Sequence, residues 1–243
     1  MSEHTNYTFR KGEIIVVDKP LNWTSFDVVN KIRWKLRKKY DLKRFKVGHA
    51  GTLDPLASGL LIICTGKKTK ESQFLTAEDK TYTGTFLLGK TTPSYDLETV
   101  YDKEYPIDHI TPELIEEAVQ QFIGTQEQTP PIFSAKKVDG KRAYESARKG
   151  KEIVLKTNTI TLHEFTVSTE RFPEIDFRIT CSKGTYIRSI AHDFGKALNC
   201  GATLIALRRI RSGDFDITEA KSVEDWLDII ETTEITDHQD LGT

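Results

Sequence analysis

The sequence is poor in cysteine and has no long apolar run. Its only three cysteines, Cys64, Cys181 and Cys200, lie far apart and form no CxxC pair. This argues against a disulfide framework or a zinc site and suits a reducing cytoplasm. No apolar run approaches the roughly 20 residues of a membrane span, and polar residues 1–10 contain no apolar segment of a secretion signal. We therefore predict a cytoplasmic protein that does not associate with membranes.

The formal net charge of -1 hides an uneven distribution over the 243 residues. Residues 31–46 contain nine Lys or Arg and one acid, whereas residues 219–243 contain eight acids and one Lys. The basic run is either a solvated helix surface or a phosphate-binding face. Its aromatic residues either stack on RNA or form the buried stripe of a helix; they are Trp34, Tyr40 and Phe45.

Hydrophobic periodicity predicts a mixture of strands and isolated helices. The predicted strands are residues 13–17, 81–89, 152–155, 159–168 and 175–181. The first predicted helix is capped by Thr24 or Ser25, and its apolar positions are Phe26, Val29, Ile32 and Leu36. A second runs from Thr111 to Gly124, and further helices are predicted at residues 142–149, 187–198 and 223–230. Residues 47–66 form a segment punctuated by glycine, and residues 91–96 a loop. This order favours a mixed α/β (α+β) fold over a doubly wound sheet.

Several common catalytic patterns fail or are missing. There is no GxGxxG, GxSxG or HExxH, and residues 59–68 resemble a phosphate loop only superficially. His49 and Asp54 have no third metal ligand nearby in the sequence. These observations disfavour an enzyme driven by a nucleotide or a metal, and we predict no cofactor.

The segment with most chemical promise is residues 48–59, GHAGTLDPLASG. Its glycines permit tight turns and the close approach of a ligand. Pro55 keeps Asp54 in extended or turn geometry. Asp54 is therefore either a reactive, strongly paired carboxylate or an Asx turn that caps a following helix.

A carboxylate in such a pocket would need a cationic partner to stay ionised. Residues 181–190, CSKGTYIRSI, place Tyr186 and Arg188 where a strand runs into a helix, and such junctions commonly build sites. The alternatives are a surface salt bridge for Arg188 and core packing for Tyr186.

Six segments, taken together, resemble the bacterial tRNA pseudouridine-55 synthase family (TruB type). They are DKPLNWTS (18–25), GHAGTLDPLASGLL (48–61), KTYT (80–83), QTPPIFSAKK (128–137), SKGTYIRSI (182–190) and LRRI (207–210). They occur in unbroken order, and the resemblance covers residues 12–213.

The resemblance implies a role for each matching residue. Asp54 would be catalytic, Tyr82 would stack on the target base and move a proton, and Arg188 would pair with Asp54. The remaining residues would bind or support the substrate: Tyr186 and Leu207 line the base pocket, His49 lies beside the displaced nucleotide, Lys19 and Pro20 support the site, and Lys137 belongs to a loop that grips RNA.

The resemblance also implies the architecture and the partner. The fold would be a mixed, mostly antiparallel central sheet flanked by helices and RNA-binding loops. Residues 10–213 would form the catalytic domain with the RNA-gripping insertion 130–152, and residues 214–243 a short acidic extension instead of a complete RNA-binding PUA domain. The expected partner is the T-arm of tRNA, recognised by shape, and the protein would be a monomer without an obligate protein partner.

Two other functions compete with this interpretation. The first is an RNA-binding or tRNA-folding module with a vestigial catalytic site, which would not need the set Asp54, Tyr82 and Arg188. The second is a hydrolytic glycosidase, which would usually need two carboxylates flanking the bond. The segment 48–59 offers only one.

Overall fold

A computed structural model of the chain describes residues 7–132, 137–138, 141–142 and 156–235. The chain divides into two units, Met1–Glu78 with Arg208–Thr243, and Asp79–Leu207. The strands are β1 Ile14–Lys19, β2 Val47–Ala50, β3 Ala57–Thr65, β4 Lys80–Leu88, β5 Lys90–Thr91, β6 Lys103–Glu104, β7 Gly124–Gln128, β8 Lys137–Val138, β9 Lys141–Arg142, β10 Asn158–Arg171, β11 Glu174–Cys181, β12 Ala202–Ser212 and β13 Phe215–Asp216. The α-helices are α1 Ser25–Lys39, α2 Ser72–Ala77, α3 Pro112–Phe122, α4 Ile187–Ala197 and α5 Val223–Thr232. Short 3-10 helices span Gly66–Lys70 and Ile217–Glu219.

The strands of the first unit are built on the apolar strand β3. It pairs antiparallel with β1, from Ile14 opposite Cys64 to Lys19 opposite Gly59. It also pairs antiparallel with β2, where Val47 lies opposite Thr65. Successive side chains of a strand point to opposite faces, and both faces of β3 are buried. This explains why residues 60–64 read as a continuous apolar run.

Helices α1 and α5 cover one face of these strands. Thr24 caps α1 by accepting a hydrogen bond from the backbone N–H of Asp27, whose carboxylate accepts from Thr24 in return, which is a capping box. The core under α1 and α5 contains Ile15, Val17, Val28, Val29, Ile32, Leu36, Leu61, Ile63, Val223, Trp226 and Ile230. The C-terminal helix is therefore part of the packed core of the first unit.

The second unit orders its strands as β4, β11, β10 and β7, and the three pairings between them are antiparallel. Its core is aromatic. Phe86 stacks on Phe177 with ring centroids 4.2 Å apart, and Phe165 and Phe194 pack edge to face at 5.6 Å. Helix α3 contributes Phe122 to the same cluster. Offset and edge-to-face packing are the preferred arrangements of aromatic rings.

The predicted class, a mixed α/β fold with mostly antiparallel strands flanked by helices, is confirmed. The strands predicted at 13–17, 81–89, 159–168 and 175–181 are present, as are the helices at 111–124, 187–198 and 223–230. The strand predicted at 152–155 and the helix at 142–149 lie outside the described residues, as does most of the insertion 130–152.

Two details of the sequence interpretation were wrong, and one segment contains more regular structure than the sequence specified. Residues 47–66, predicted only as a segment punctuated by glycine, contain the two strands β2 and β3. Phe26 does not belong to the buried stripe of α1, because it is 58% exposed and Val28 is buried instead. The first strand runs on through Asp18 and Lys19. The two alternatives for the aromatic residues of the basic run apply to different residues. Phe45 is buried, whereas Trp34 is 53% exposed.

Candidate active site

Asp54 lies on the turn between β2 and β3, and neighbouring segments hold this turn on both sides of it. The carbonyl of Gly51 accepts a hydrogen bond from Arg209 at 3.1 Å. The carbonyl of Pro55 accepts one from the backbone N–H of Asn22 at 2.8 Å. The backbone is therefore fixed before and after Asp54, whose side chain is partly buried. The alternative that Asp54 caps a following helix was wrong, since strand β3 follows the turn.

Ser25 provides the third support of the turn. Its hydroxyl accepts a hydrogen bond from the N–H of Leu53 at 2.8 Å and donates one to the carbonyl of Leu53 at 3.0 Å. Both side chains are buried. The first residue of α1 therefore satisfies both backbone groups of the residue that precedes Asp54.

Arg209 on β12 is the largest fully buried side chain of the described residues. Its Nε donates to the carbonyl of Leu60 at 2.7 Å, and its Nη2 donates to Gly51. Gly59 makes this close approach possible, because a Cβ there would lie 2.3 Å from the carbonyl oxygen of Arg209. Sequence reasoning missed this residue, although it lies in the quoted segment LRRI.

Lys19 at the end of β1 is buried in the same unit. Its ammonium group donates to the carbonyls of Pro20 at 2.9 Å and Trp23 at 2.6 Å. Burial lowers the pKa of Lys19 to about 8, while the charge of Asp54 opposes this shift and that of Arg209 adds to it. Lys19 therefore closes the loop that follows β1 and interacts electrostatically with Asp54. Pro20 is exposed at the start of that loop.

His49 on β2 is a half-buried neutral imidazole in the first unit. Burial lowers its pKa, and the charge of Arg209 lowers it further. Within the described part of the chain its buried Nδ1 has no hydrogen-bond partner. An unsatisfied polar atom of this kind is costly, and it is a candidate contact for a substrate.

The second unit holds the other predicted site residues. Tyr82 lies on β4 opposite Ile179 and is 9% exposed, and Leu207 is half-buried on β12. Tyr186 caps α4. The side chain of Gln128 accepts from the N–H of Tyr186 at 2.8 Å and donates to its carbonyl at 3.1 Å, which fixes the junction before α4.

Arg188 on α4 is buried, so the alternative of a surface salt bridge was wrong. Its guanidinium forms an ion pair with Asp96 at 3.5 Å, and both side chains are less than 10% exposed. Sequence reasoning missed Asp96, which lies in a loop without a periodic pattern. The predicted pairing of Arg188 with Asp54 stays a prediction.

One sequence pattern escaped the motif search and has no phosphate-binding structure. Residues 84–91, GTFLLGKT, match GxxxxGK[ST] letter by letter. A phosphate loop joins a strand to a helix, whereas these residues form strand β4 and the turn into β5. The backbone of Gly84 also pairs with Phe177 on β11.

A strongly basic cavity of about 460 Å³ lies in the first unit. Leu42 and Phe45 supply its apolar lining. The basic residues that line it are Arg10, Arg44, Lys46, Lys67 and Lys70. Within residues 7–132 and 156–235, none of these five cations forms an ion pair, so their charge is available to an anion.

For Lys137, predicted to belong to a loop that grips RNA, the structure describes only the strand in which it lies. Lys137 lies on β8, opposite Arg142 on β9, and its side chain is outside the described residues. In the described ranges no three His, Cys, Asp or Glu side chains come together as a metal site. No described helix is long and apolar enough to span a membrane.

The sequence matches two family models. Residues 37–187 match the one described as TruB family pseudouridylate synthase (N terminal domain). Residues 188–241 match the one described as tRNA pseudouridylate synthase B C-terminal domain. The protein is therefore a pseudouridylate synthase in class, and the predicted class of RNA-modifying isomerase is confirmed.

Similar proteins of known name agree with this class. The tRNA pseudouridine synthase B of Flavobacterium johnsoniae is 55% identical over 87% of this chain and 93% of its own length. The protein of the same name from Phocaeicola vulgatus is 54% identical over 93% of this chain and 98% of its own. This chain belongs to the TruB family.

Solved structures show the same fold in larger chains. In the crystal structure of a Cbf5-Nop10-Gar1 complex, one chain is 29% identical with a TM-score of 0.68, over 90% of this chain and 54% of that chain. In the structure of an H/ACA RNP bound to a substrate RNA containing 2'-deoxyuridine, one chain is 27% identical with a TM-score of 0.64, over 90% of this chain and 53% of that chain. This chain spans about half the length of the chains in those structures.

Proposed function

We propose that this protein converts uridine 55 in the T-arm of tRNA to pseudouridine, with Asp54 as the essential carboxylate and without a cofactor. The observation that carries the proposal is the turn of residues 51–56, whose backbone is held by Ser25, Asn22 and Arg209. A carboxylate held in one place provides the orientation that catalysis needs. The relatives named tRNA pseudouridine synthase B support tRNA as the substrate.

The reaction gives a carboxylate a clear task. The bond between N1 of uracil and C1′ of ribose breaks, the uracil turns, and its C5 forms a bond to C1′. Breaking the glycosidic bond develops positive charge at C1′, which a carboxylate can stabilise or trap. Three routes remain open: addition of Asp54 to C1′, addition to the base, and a glycal formed by removal of a ribose proton. Each rearranges the atoms of one nucleotide and needs no cofactor.

The released uracil must stay in the site until C5 attacks. We assign its walls to Tyr82, Tyr186 and Leu207, with Tyr82 stacked on the base, and we assign Arg188 as the cationic partner of Asp54. Exclusion of water from such a pocket prevents simple hydrolysis. The ion pair between Arg188 and Asp96 supports this assignment, because it holds the guanidinium in a buried and defined place.

The target uridine must leave the folded arm before it can react. Flipping a nucleotide costs a few kcal/mol of stacking, which contacts to the displaced base and to the backbone offset. His49, whose Nδ1 has no hydrogen-bond partner among the described residues, is assigned to the displaced nucleotide. Lys137 and the insertion 130–152 are assigned to gripping the arm.

The basic cavity supports an RNA substrate independently of the catalytic turn. Its five cations, Arg10, Arg44, Lys46, Lys67 and Lys70, would hold backbone phosphates, and phosphate contacts give affinity without reading bases. We propose further that the enzyme acts in the cytoplasm as a monomer, with residues 10–213 as its catalytic domain and residues 214–243 as an acidic extension.

The test of the proposal compares Asp54→Asn with wild type on an unmodified tRNA transcript. We expect no pseudouridine from the variant and an RNA dissociation constant within about tenfold of wild type, since the phosphate contacts are unchanged. Asp214→Asn, an exposed acid of the same unit, is the matched control and should be fully active. An active Asp54→Asn enzyme would disprove the role of Asp54.

The position in the T-arm needs its own substrate control. A transcript in which uridine 55 is replaced by cytidine should yield no pseudouridine with the wild-type enzyme. Nucleotide-resolution mapping should place the product of the normal transcript at position 55 alone. Product at another position would overturn the assignment of the site and leave the role of Asp54 intact.

A further inference from the structure

Helix α4 meets the loop between β5 and β6 at two neighbouring points. Arg188 and His192 are four residues apart on α4 and therefore lie on one face of the helix. The loop presents Asp96 to Arg188 at 3.5 Å. It presents the preceding residue, Tyr95, to His192 with ring centroids 4.0 Å apart and an interplanar angle of 15°.

The ion pair between Arg188 and Asp96 is long for a buried pair. Its distance of 3.5 Å exceeds the 2.7–2.9 Å or so of a charge-assisted hydrogen bond, and its contact with the carbonyl of Ser94 is equally long at 3.5 Å. Buried charges are stabilised only when their geometry is good. Asp96 itself is held within the loop: its carboxylate accepts a hydrogen bond from the N–H of Glu98 at 3.0 Å, and its carbonyl accepts from the hydroxyls of Thr92 at 2.7 Å and Ser94 at 3.1 Å.

Tyr95 fixes the loop at a further point, directly before Asp96. Its φ of 66° is in the left-handed region, which is uncommon for residues other than glycine. Its carbonyl accepts a hydrogen bond from the N–H of Leu204 at 2.9 Å, and its ring stacks on His192. The surrounding structure must compensate a strained conformation of this kind, and the stack and this hydrogen bond do so.

The stack is a contact between two neutral rings. Burial lowers the pKa of His192, although the neighbouring carboxylate of Asp193 opposes the shift. Asp193 also raises the pKa of the Tyr95 hydroxyl, after burial as the main cause. The stacked rings, with centroids 4.0 Å apart, form the contact between Tyr95 and His192.

We infer that Tyr95 and His192 are positioning residues, whose stacked rings hold Asp96 against Arg188 and so orient the guanidinium. The inference rests on the proposed function, in which Arg188 is the cationic partner of Asp54. It assigns catalytic importance to two side chains that need not touch the RNA. It also predicts that an aromatic ring, rather than a particular polar group, is required at each position.

The first experiment measures the single-turnover rate constant at saturating enzyme together with RNA affinity. Tyr95→Ala should lower the rate constant by about ten- to a hundredfold, because small misplacements of catalytic groups have effects of this size, and should change affinity less than about threefold. Tyr95→Phe and His192→Phe keep both rings and should stay within about threefold of wild type. Tyr101→Ala, a 42% exposed tyrosine of the same loop, is the matched control.

The second experiment asks whether Tyr95 acts through Asp96. In an Asp96→Asn background, Tyr95→Ala should lower the rate constant by less than about twofold, since coupled residues are not additive. A full, additive loss would overturn the inference, as would a fully active Tyr95→Ala enzyme. Loss of activity in Tyr95→Phe would also overturn it, because the hydroxyl would then be the important group.

Folding and chemistry are separated by two further measurements. Thermal unfolding of each variant shows whether Tyr95→Ala is folded, and His192→Ala provides an independent way to remove the stack if it is not. Activity that persists in Asp54→Asn would defeat the proposed function. Activity that is lost in Asp54→Asn but kept in both Tyr95→Ala and His192→Ala would defeat only the role of the stack.

Discussion

The hydroxyl of Ser25 forms two hydrogen bonds with one residue, accepting from the N–H of Leu53 at 2.8 Å and donating to its carbonyl at 3.0 Å. Leu53 immediately precedes Asp54, and Ser25 is the first residue of α1. The start of α1 thus fixes the backbone next to the proposed catalytic carboxylate, together with Asn22 and Arg209.

Removal of this support gives the first prediction. Ser25→Ala leaves the buried N–H and carbonyl of Leu53 without a partner, which costs about 1–3 kcal/mol of stability. Because the turn then shifts, we expect the single-turnover rate constant to fall on the order of a hundredfold with little change in RNA affinity. Ser72→Ala, which removes a hydroxyl from the start of α2, should be near wild type. Equal rates for the two variants would contradict the prediction.

The second prediction concerns the alkaline limit of activity. The pKa of Lys19 is about 8, so its ammonium group is charged below that pH and neutral above it. If the positive charge beside Asp54 contributes to the reaction, the single-turnover rate constant falls as the pH rises through about 8 and Lys19 loses its proton. The measurement is a rate profile from about pH 6.5 to 9.5, with RNA binding determined at each pH. A rate that stays constant to the end of this range would refute the assignment.

The third prediction concerns the basic cavity. Lys46→Glu combined with Lys67→Glu should weaken tRNA binding at least about tenfold and reduce the salt dependence of binding, since each lost phosphate contact lowers the slope by about 0.7–0.9. The rate constant at saturating enzyme should change little. Lys221→Glu combined with Arg211→Glu makes the same charge change at exposed positions of the first unit and serves as the control. If the control pair weakens binding equally, the cavity is not a specific phosphate site.

The fourth prediction concerns the C-terminal helix. Trp226 is 4% exposed in the core of the first unit, and its indole N–H donates to the carbonyl of Val16 at 2.8 Å. Trp226→Ala should therefore lower the free energy of unfolding by about 3–5 kcal/mol. Trp34→Ala, at the exposed tryptophan of α1, should change it by no more than about 0.5 kcal/mol. Urea denaturation of both variants compares them directly.

The elements that the sequence predicted correctly are those whose caps and apolar periodicity lie within the element itself. Helix α3 has an N-cap at Thr111 and a regular apolar face, and β4 alternates, so periodicity was sufficient. Periodicity placed Phe26 in the core of α1, yet the face that packs begins at Val28. The direction of a helix face near its first turn depends on the neighbouring strands, which the local pattern does not contain.

The parts of the site that escaped prediction depend on contacts between residues distant in sequence. Asp96 meets Arg188 across about 90 residues, and Arg209 reaches Gly51 across more than 150. Neither the loop around Asp96 nor the strand around Arg209 has a pattern that specifies its partner. The family resemblance located Asp54 because its turn is a short continuous segment. The residues that hold this turn, Ser25, Asn22 and Arg209, were recognised only in the structure.

The first unit is assembled from the two ends of the chain, since Arg208–Thr243 joins Met1–Glu78. During translation, strands β1 and β3 emerge long before the helix that contains Trp226. At typical elongation rates the intervening residues take on the order of ten seconds to synthesise. Residues 79–207, the whole of the second unit, are synthesised in that interval. Throughout it, apolar side chains of the first unit, such as Val17 and Leu61, still lack the covering of α5. Nascent chains stalled before residue 208 should therefore be the forms most dependent on chaperones.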